Sequence, residues 1–155
     1  MSFEIATIAA GGGQIGICPA PGRFGYYALD FKEIMAWRPE LVLSMTEAAE
    51  LDRIGAAGFG DDLEKAGIAR LALPVWDYGV PEDETARHWP ESAAEAKVVL
   101  ARGGRVLVHC MGGCGRSGMA VLRLMVEMGE DPEEALARLR AVRPCAVETE
   151  AQRVR

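Results

Sequence analysis

The chain has little lysine, no long apolar run and few aromatic rings. Only Lys32, Lys65 and Lys97 are lysines among 17 cationic side chains, against 23 acidic ones, for a formal charge of −6. That balance argues against a nucleic-acid-binding or anionic-membrane surface. No apolar stretch approaches the roughly 20 residues of a membrane span, and the N-terminus lacks a basic, hydrophobic leader. The expectation is a cytoplasmic protein with no membrane partner. The four cysteines, Cys18, Cys110, Cys114 and Cys145, form no paired C-x2-C units, so no metal site is expected. In a reducing compartment all four are expected to be thiols. A Gly-Lys-Ser/Thr element is missing, so a Walker-type nucleotide loop fits poorly. What is present is ordinary for a globular fold: 50% hydrophobic and 26% charged residues. A single domain over 1–155 follows, long enough to bury a core.

The chain alternates strand and helix signals. Phe3–Ile8 and Gln14–Cys18 flank Gly11-Gly12-Gly13 and read as a hairpin. Asp30 is positioned to cap a helix running to Trp37, and Leu41–Ser44 reads as a buried strand. Thr46, with Glu50 nearby, opens a second helix, and Asp61–Ala66 forms a short third. Ile68–Val75 is a strand, followed by a polar loop over Trp76–Glu84. A long helix then runs from Thr85 or Pro90 to Ala101. Arg105–His109 is the next strand and Ser117–Met128 the next helix, with Gly129 past its end. Asp131-Pro132-Glu133-Glu134 is a helix start, with proline at the first helical position and acids in the first turn. Thr149 sits in a final turn. Together these predict an α/β three-layer sandwich, a largely parallel central sheet between helices. Ligands of such sheets bind at the carboxyl ends of the strands. Two loops leave that edge, one at His109-Cys110 and one at Trp76-Asp77.

The run Val106-Leu107-Val108-His109-Cys110-Met111-Gly112-Gly113-Cys114-Gly115-Arg116-Ser117-Gly118 carries the chemistry. It reads as strand, tight loop and helix start. The amides of Met111, Gly112, Gly113, Cys114, Gly115 and Arg116 are candidates to converge on an anion, reinforced by the helix N-terminus. Glycine permits the backbone conformations such a cradle needs. Arg116 adds a planar fork that matches two phosphate oxygens. The same positive field favours a thiolate at Cys110. An anion cradle around a nucleophile points to covalent phosphoryl transfer, without metal or cofactor, because the loop itself neutralises the phosphoryl charge. His109 precedes Cys110 on the strand, so its ring faces away and is expected to order the loop.

His-Cys-x5-Arg-Ser resembles the signature loop of the cysteine-dependent protein tyrosine and dual-specificity phosphatases. Ile15–Gly22, Asp77–Asp83 and Val147–Gln152 extend the likeness toward the cyclin-dependent-kinase-associated type. The resemblance implies a dual-specificity-phosphatase-like fold and hydrolysis of phosphotyrosine or phosphoserine/threonine through a cysteinyl phosphate, by a monomer acting on phosphorylated protein. In this reading Cys110 is the nucleophile and Arg116 binds phosphate. Ser117 donates to the Cys110 sulfur as it leaves, and also suits a helix cap. The family's general acid lies some thirty residues before the cysteine, which selects Asp77, with Asp83 the alternative. Gln152 is a candidate for positioning water, a surface glutamine being the competing reading. Cys114 is either a small loop filler or a resolving thiol for Cys110. Alternatives of other kinds are a phosphatase for small-molecule or lipid phosphates, a phosphate-binding module without turnover, and a sulfur-transfer protein of rhodanese type. The last does not need the Arg116-Ser117 pair.

Overall fold

The computed structural model describes residues 2–75, 80 and 82–153. Two N-terminal strands, β1 (Ala6–Ala10) and β2 (Gly13–Cys18), form the expected hairpin, but the first starts at Ala6 and not at Phe3, and Gly13 pairs with Ala10 so that only Gly11-Gly12 make the turn. Helix α1 (Tyr27–Trp37) leads to β3 (Leu41–Ser44). Short helices α2 (Ala48–Arg53) and α3 (Phe59–Lys65) lead to β4 (Ala69–Ala72). The long α4 (Asp83–Ala101) returns the chain to β5 (Arg105–His109). Helices α5 (Gly115–Glu127), α6 (Pro132–Val142) and α7 (Glu150–Arg153) complete it.

The strand order is β1-β2-β5-β3-β4. β2, β5, β3 and β4 run parallel, and β1 closes one edge antiparallel, so the sheet is mixed. β5 lies at the centre because its run Val106-Leu107-Val108 is fully buried and apolar on both sides, the pattern of a strand covered on two faces. Alternation sorts the two faces. Ile15, Ile17, Leu41, Leu43, Val106 and Val108 pack against α4, α5 and α6. Cys18, Val42 and Leu107 pack against Ile34 of α1 and Phe59 and Leu63 of α3. The register aligns Cys18, His109 and Ser44 across three neighbouring strands. These are the carboxyl ends, and the chain crosses the same edge again after His109, where the signature loop begins.

Several local expectations are corrected. α1 begins at Tyr27, one turn earlier than a cap at Asp30 allows, and the Asp30 carboxylate instead accepts the Gly22 amide at 2.8 Å. A tertiary turn outcompetes the local cap. The second helix is opened by Glu47, in a capping box with Glu50, and not by Thr46. The fourth strand is shorter than Ile68–Val75, because past Ala72 only the Leu73 and Val75 amides remain bonded toward β3, at Ser44 and Met45. α4 starts before Pro90 and contains it in its second turn. α5 starts two residues before Ser117, at Gly115. The start of α6 is as read: Asp131 caps Glu134 N–H at 3.1 Å, with Pro132 next. Among the described residues no helix is long and apolar enough to cross a membrane.

Candidate active site

Four structural elements converge on the loop between β5 and α5. Cys110 is buried where β5 ends, and its sulfur lies 3.1 Å from the Ser117 hydroxyl in the first turn of α5. The loop folds back with the carbonyls of Met111, Gly112, Gly113 and Cys114 each held by a hydrogen bond. The Met111 carbonyl accepts the Ala20 amide at 3.0 Å. The Gly112 and Gly113 carbonyls each accept from the Arg143 guanidinium at 2.9 Å. The Cys114 carbonyl accepts Gly118 N–H at 2.9 Å and Val147 N–H at 3.2 Å. With these carbonyls taken up, the chain is held in a turn whose remaining amides are available to an anion; the Gly115 amide, expected among the donors, is instead taken by Glu148. Gly113 has φ +72°, and a Cβ there would meet the Cys18–Pro19 backbone at 2.5 Å, so only glycine fits.

Arg116 is 1% exposed and its fork is fixed end-on by Glu50. Nη1 donates to Glu50 Oε1 at 2.6 Å and to the Val75 carbonyl at 3.0 Å, and Nη2 donates to Oε2 at 2.9 Å. Two hydrogen bonds to one planar carboxylate set the plane of the guanidinium. Burial pushes the Glu50 carboxyl up. The Arg116 hydrogen bonds, the Glu47 amide and the charges of Arg116 and Arg53 outweigh it and hold Glu50 below its ordinary range. Glu50 was not singled out from sequence as more than a helix-start residue. Its partner lies 66 positions away, and no local pattern encodes that.

His109 is fully buried on the face opposite Cys110, edge-on to Phe59 at 5.4 Å. Its Nδ1 lies 3.2 Å from the Cys110 carbonyl and its Nε2 2.6 Å from Ser44 Oγ. Ser44 Oγ also accepts from Arg70 Nε at 2.8 Å, so its own proton points to Nε2. The neutral ring therefore carries its proton on Nδ1 and donates to the Cys110 carbonyl. Burial, with the charges of Arg70 and Arg116, lowers its pKa to about 4. Cys18 is a second buried free thiol beside the loop, and burial, then the neighbouring Cys110, pushes its pKa up.

The segment after α6 packs on the loop from behind. Gly115 N–H donates to Glu148 Oε1 at 3.1 Å. Gln152 is buried, its Oε1 accepting the amides of Glu148 at 3.0 Å and Thr149 at 3.3 Å, so the surface reading is excluded. Cys114 is bonded to Cys145 as a disulfide, 31 residues apart with Cα atoms at 5.1 Å. This corrects the expectation of four thiols. α5 and α6 form an antiparallel hairpin that returns Cys145 to the loop, which spacing alone does not reveal. It also leaves Cys114 with no thiol to resolve Cys110. Arg143, Cys145 and Glu148 were all missed in sequence, for the same reason of distance along the chain. Asp77 lies outside the described residues, and Asp83 begins α4.

The family described as PTP-SAK, the Swiss Army Knife protein DSP-PTPase phosphatase domain, matches residues 30–155. The chain belongs to this family. It is 34% identical over 85 residues to human protein tyrosine phosphatase type IVA 3, covering 55% of this chain and 49% of that protein. Mouse cyclin-dependent kinase inhibitor 3 is 28% identical over 135 residues, 83% of this chain and 63% of that protein. The chain thus spans about half to two thirds of the length of these relatives. The solved structure of kinase associated phosphatase, with its catalytic-site cysteine substituted by serine, superposes with a TM-score of 0.85 at 22% identity, covering 99% and 92% of the two chains. Tk-PTP in its active form gives 0.73 at 29% identity, covering 95% and 90%. The three-layer fold is therefore that of the dual-specificity phosphatases.

Proposed function

We propose that this phosphatase, with a single catalytic domain over residues 1–155, hydrolyses phosphotyrosine and phosphoserine/threonine in proteins and acts as a cytoplasmic monomer. One observation supports the reading most: a nucleophilic sulfur, a hydroxyl at 3.1 Å and an orientation-locked guanidinium surround a single loop. Cys110 attacks phosphorus in line. The S–P bond forms as the P–O bond to the substrate breaks, and Asp77 gives a proton to the departing oxygen. The loop amides and Arg116 bear the charge that grows on the equatorial oxygens. Water then attacks the cysteinyl phosphate and gives a proton back to Asp77. Sulfur leaves with a hydrogen bond from Ser117, and phosphate is released. Gln152 is suited to holding the position of that water through the 148–152 turn. The acidic chain and the absence of lysine from the loop favour protein over lipid phosphates.

Turnover of para-nitrophenyl phosphate in chelator, with a phosphopeptide panel alongside, tests the reading. Both are hydrolysed by the native protein and neither by the Cys110→Ser variant, which still binds phosphate. Retained activity in that variant rules out the covalent route.

A further inference from the structure

We propose that Arg23 reads an acidic residue beside the phosphorylated side chain of a protein substrate, which deepens the phosphoprotein reading and rests on it. Arg23 sits on the turn between β2 and α1, and this turn is built onto the signature loop. Ala20 N–H donates to the Met111 carbonyl at 3.0 Å, and Arg23 N–H donates to the Ala20 carbonyl at 3.2 Å. The buried Asp30 carboxylate holds the Gly22 amide at 2.8 Å. These three bonds fix where the Arg23 side chain leaves the backbone. Its guanidinium then lies over the loop: a Cβ on Gly112 would be 3.3 Å from Arg23 Nη1. Gly112 is two residues past Cys110, so the cation stands at the rim of the anion cradle.

Among the described residues the Arg23 side chain has no hydrogen bond and no carboxylate partner. Its one neighbour of note is the Phe24 ring, 5.8 Å from the guanidinium carbon. The ring supports the cation without neutralising it. Other arginines around the site have other tasks: Arg116, oriented by Glu50, serves the phosphate itself, and Arg143 is taken up by the Gly112 and Gly113 carbonyls. Arg23 is exposed, so its charge is offered outward. In a chain of net charge −6 an uncompensated cation at this rim is a selective feature and not part of a general basic field. Tyr26 and Leu29, 63% and 60% exposed on the same turn and helix, add apolar surface of the kind a peptide covers. One cation beside apolar surface matches a single acidic residue of a phosphopeptide, whereas a polyanionic lipid headgroup is repelled more strongly by a chain of net charge −6.

The test uses one phosphopeptide scaffold with Asp, Asn or Lys flanking the phosphorylated residue, assayed with native protein and Arg23→Glu. The readout is the ratio of kcat/KM for Asp over Lys peptides within each protein. A ratio of about fivefold is expected for the native protein, shrinking with added salt, and a ratio below one for Arg23→Glu. Peptide affinities in the Cys110→Ser background give the same ratio without turnover. The inference can therefore be judged even if the hydrolysis reading fails. Equal ratios in the two proteins overturn it. So does a charge-reversal effect that appears on a bisphosphorylated inositol headgroup and not on the peptides.

Discussion

Glu50 and Arg116 form a two-pronged ion pair of 2.6 and 2.9 Å that joins α2 to the first turn of α5 across the end of the sheet. Both side chains are nearly inaccessible, at 8% and 1% exposure. In the proposed mechanism the pair is a positioning device: the carboxylate holds the plane of the guanidinium that would meet the phosphate. Glu50→Gln keeps one acceptor and loses the charge, so the fork gains freedom. A loss of about 10-fold to 10²-fold in kcat/KM is expected, the scale of a misaligned catalytic group. Glu50→Ala should lose more. An activity within twofold of native for Glu50→Gln, at an unchanged unfolding temperature, would remove Glu50 from the site.

Asp77→Ala should lower kcat by roughly 10²-fold to 10⁴-fold for phosphates with poor leaving groups. The loss should shrink when the leaving oxygen needs no proton, and the basic limb of the pH–rate profile should flatten. Asp83→Ala is the comparison. If that variant shows the larger loss and the flattened limb, the acid lies six residues further along the chain, at the start of α4.

The His109 ring is neutral in the folded protein down to about pH 4, whereas an unfolded histidine takes its proton near 6.5. The unfolded chain therefore binds the extra proton first as pH falls. Stability from this group is complete above about pH 6.5 and is lost progressively on descent to about pH 4, by about 3 kcal/mol in total. His109→Asn keeps an N–H toward the Cys110 carbonyl and cannot titrate. Urea midpoints at several pH values should fall more steeply for the native protein than for this variant within that window. Parallel slopes would contradict the buried neutral ring.

The bond between Cys114 and Cys145 joins residues 31 apart, which restricts the unfolded chain by about 3.7 kcal/mol. Cys145→Ser should lower the denaturant midpoint accordingly and make it insensitive to dithiothreitol. A native midpoint unmoved by dithiothreitol would show that the two sulfurs are not bonded in solution.

What was legible in the sequence was local. The buried strand Arg105–His109, the loop after it and the helix start at Asp131-Pro132 each announce themselves within a few residues, through periodicity, glycine and capping chemistry. The strand alternation that turns His109 away from Cys110 follows from the same local rule. What was not legible lies between distant segments. Glu50 meets Arg116, Arg143 meets Gly112 and Gly113, and Glu148 meets Gly115 only after the sheet has formed. Asp30 shows the two scales in conflict. Its local option as a cap yields to a turn amide eight residues upstream.

With Cys110 as the proposed nucleophile, one molecule holds a sulfur whose proposed role needs it reduced and, four residues away, a cysteine that is oxidised in a pair. The two states have opposite needs. Strong reductant protects Cys110 and severs the strap behind the loop, whereas oxidant preserves the strap and attacks Cys110. Enzyme prepared at a single customary reductant level therefore samples one side of this balance. A titration across glutathione redox ratios should trace activity through a maximum, with both chemistries satisfied only in the interval between the two potentials.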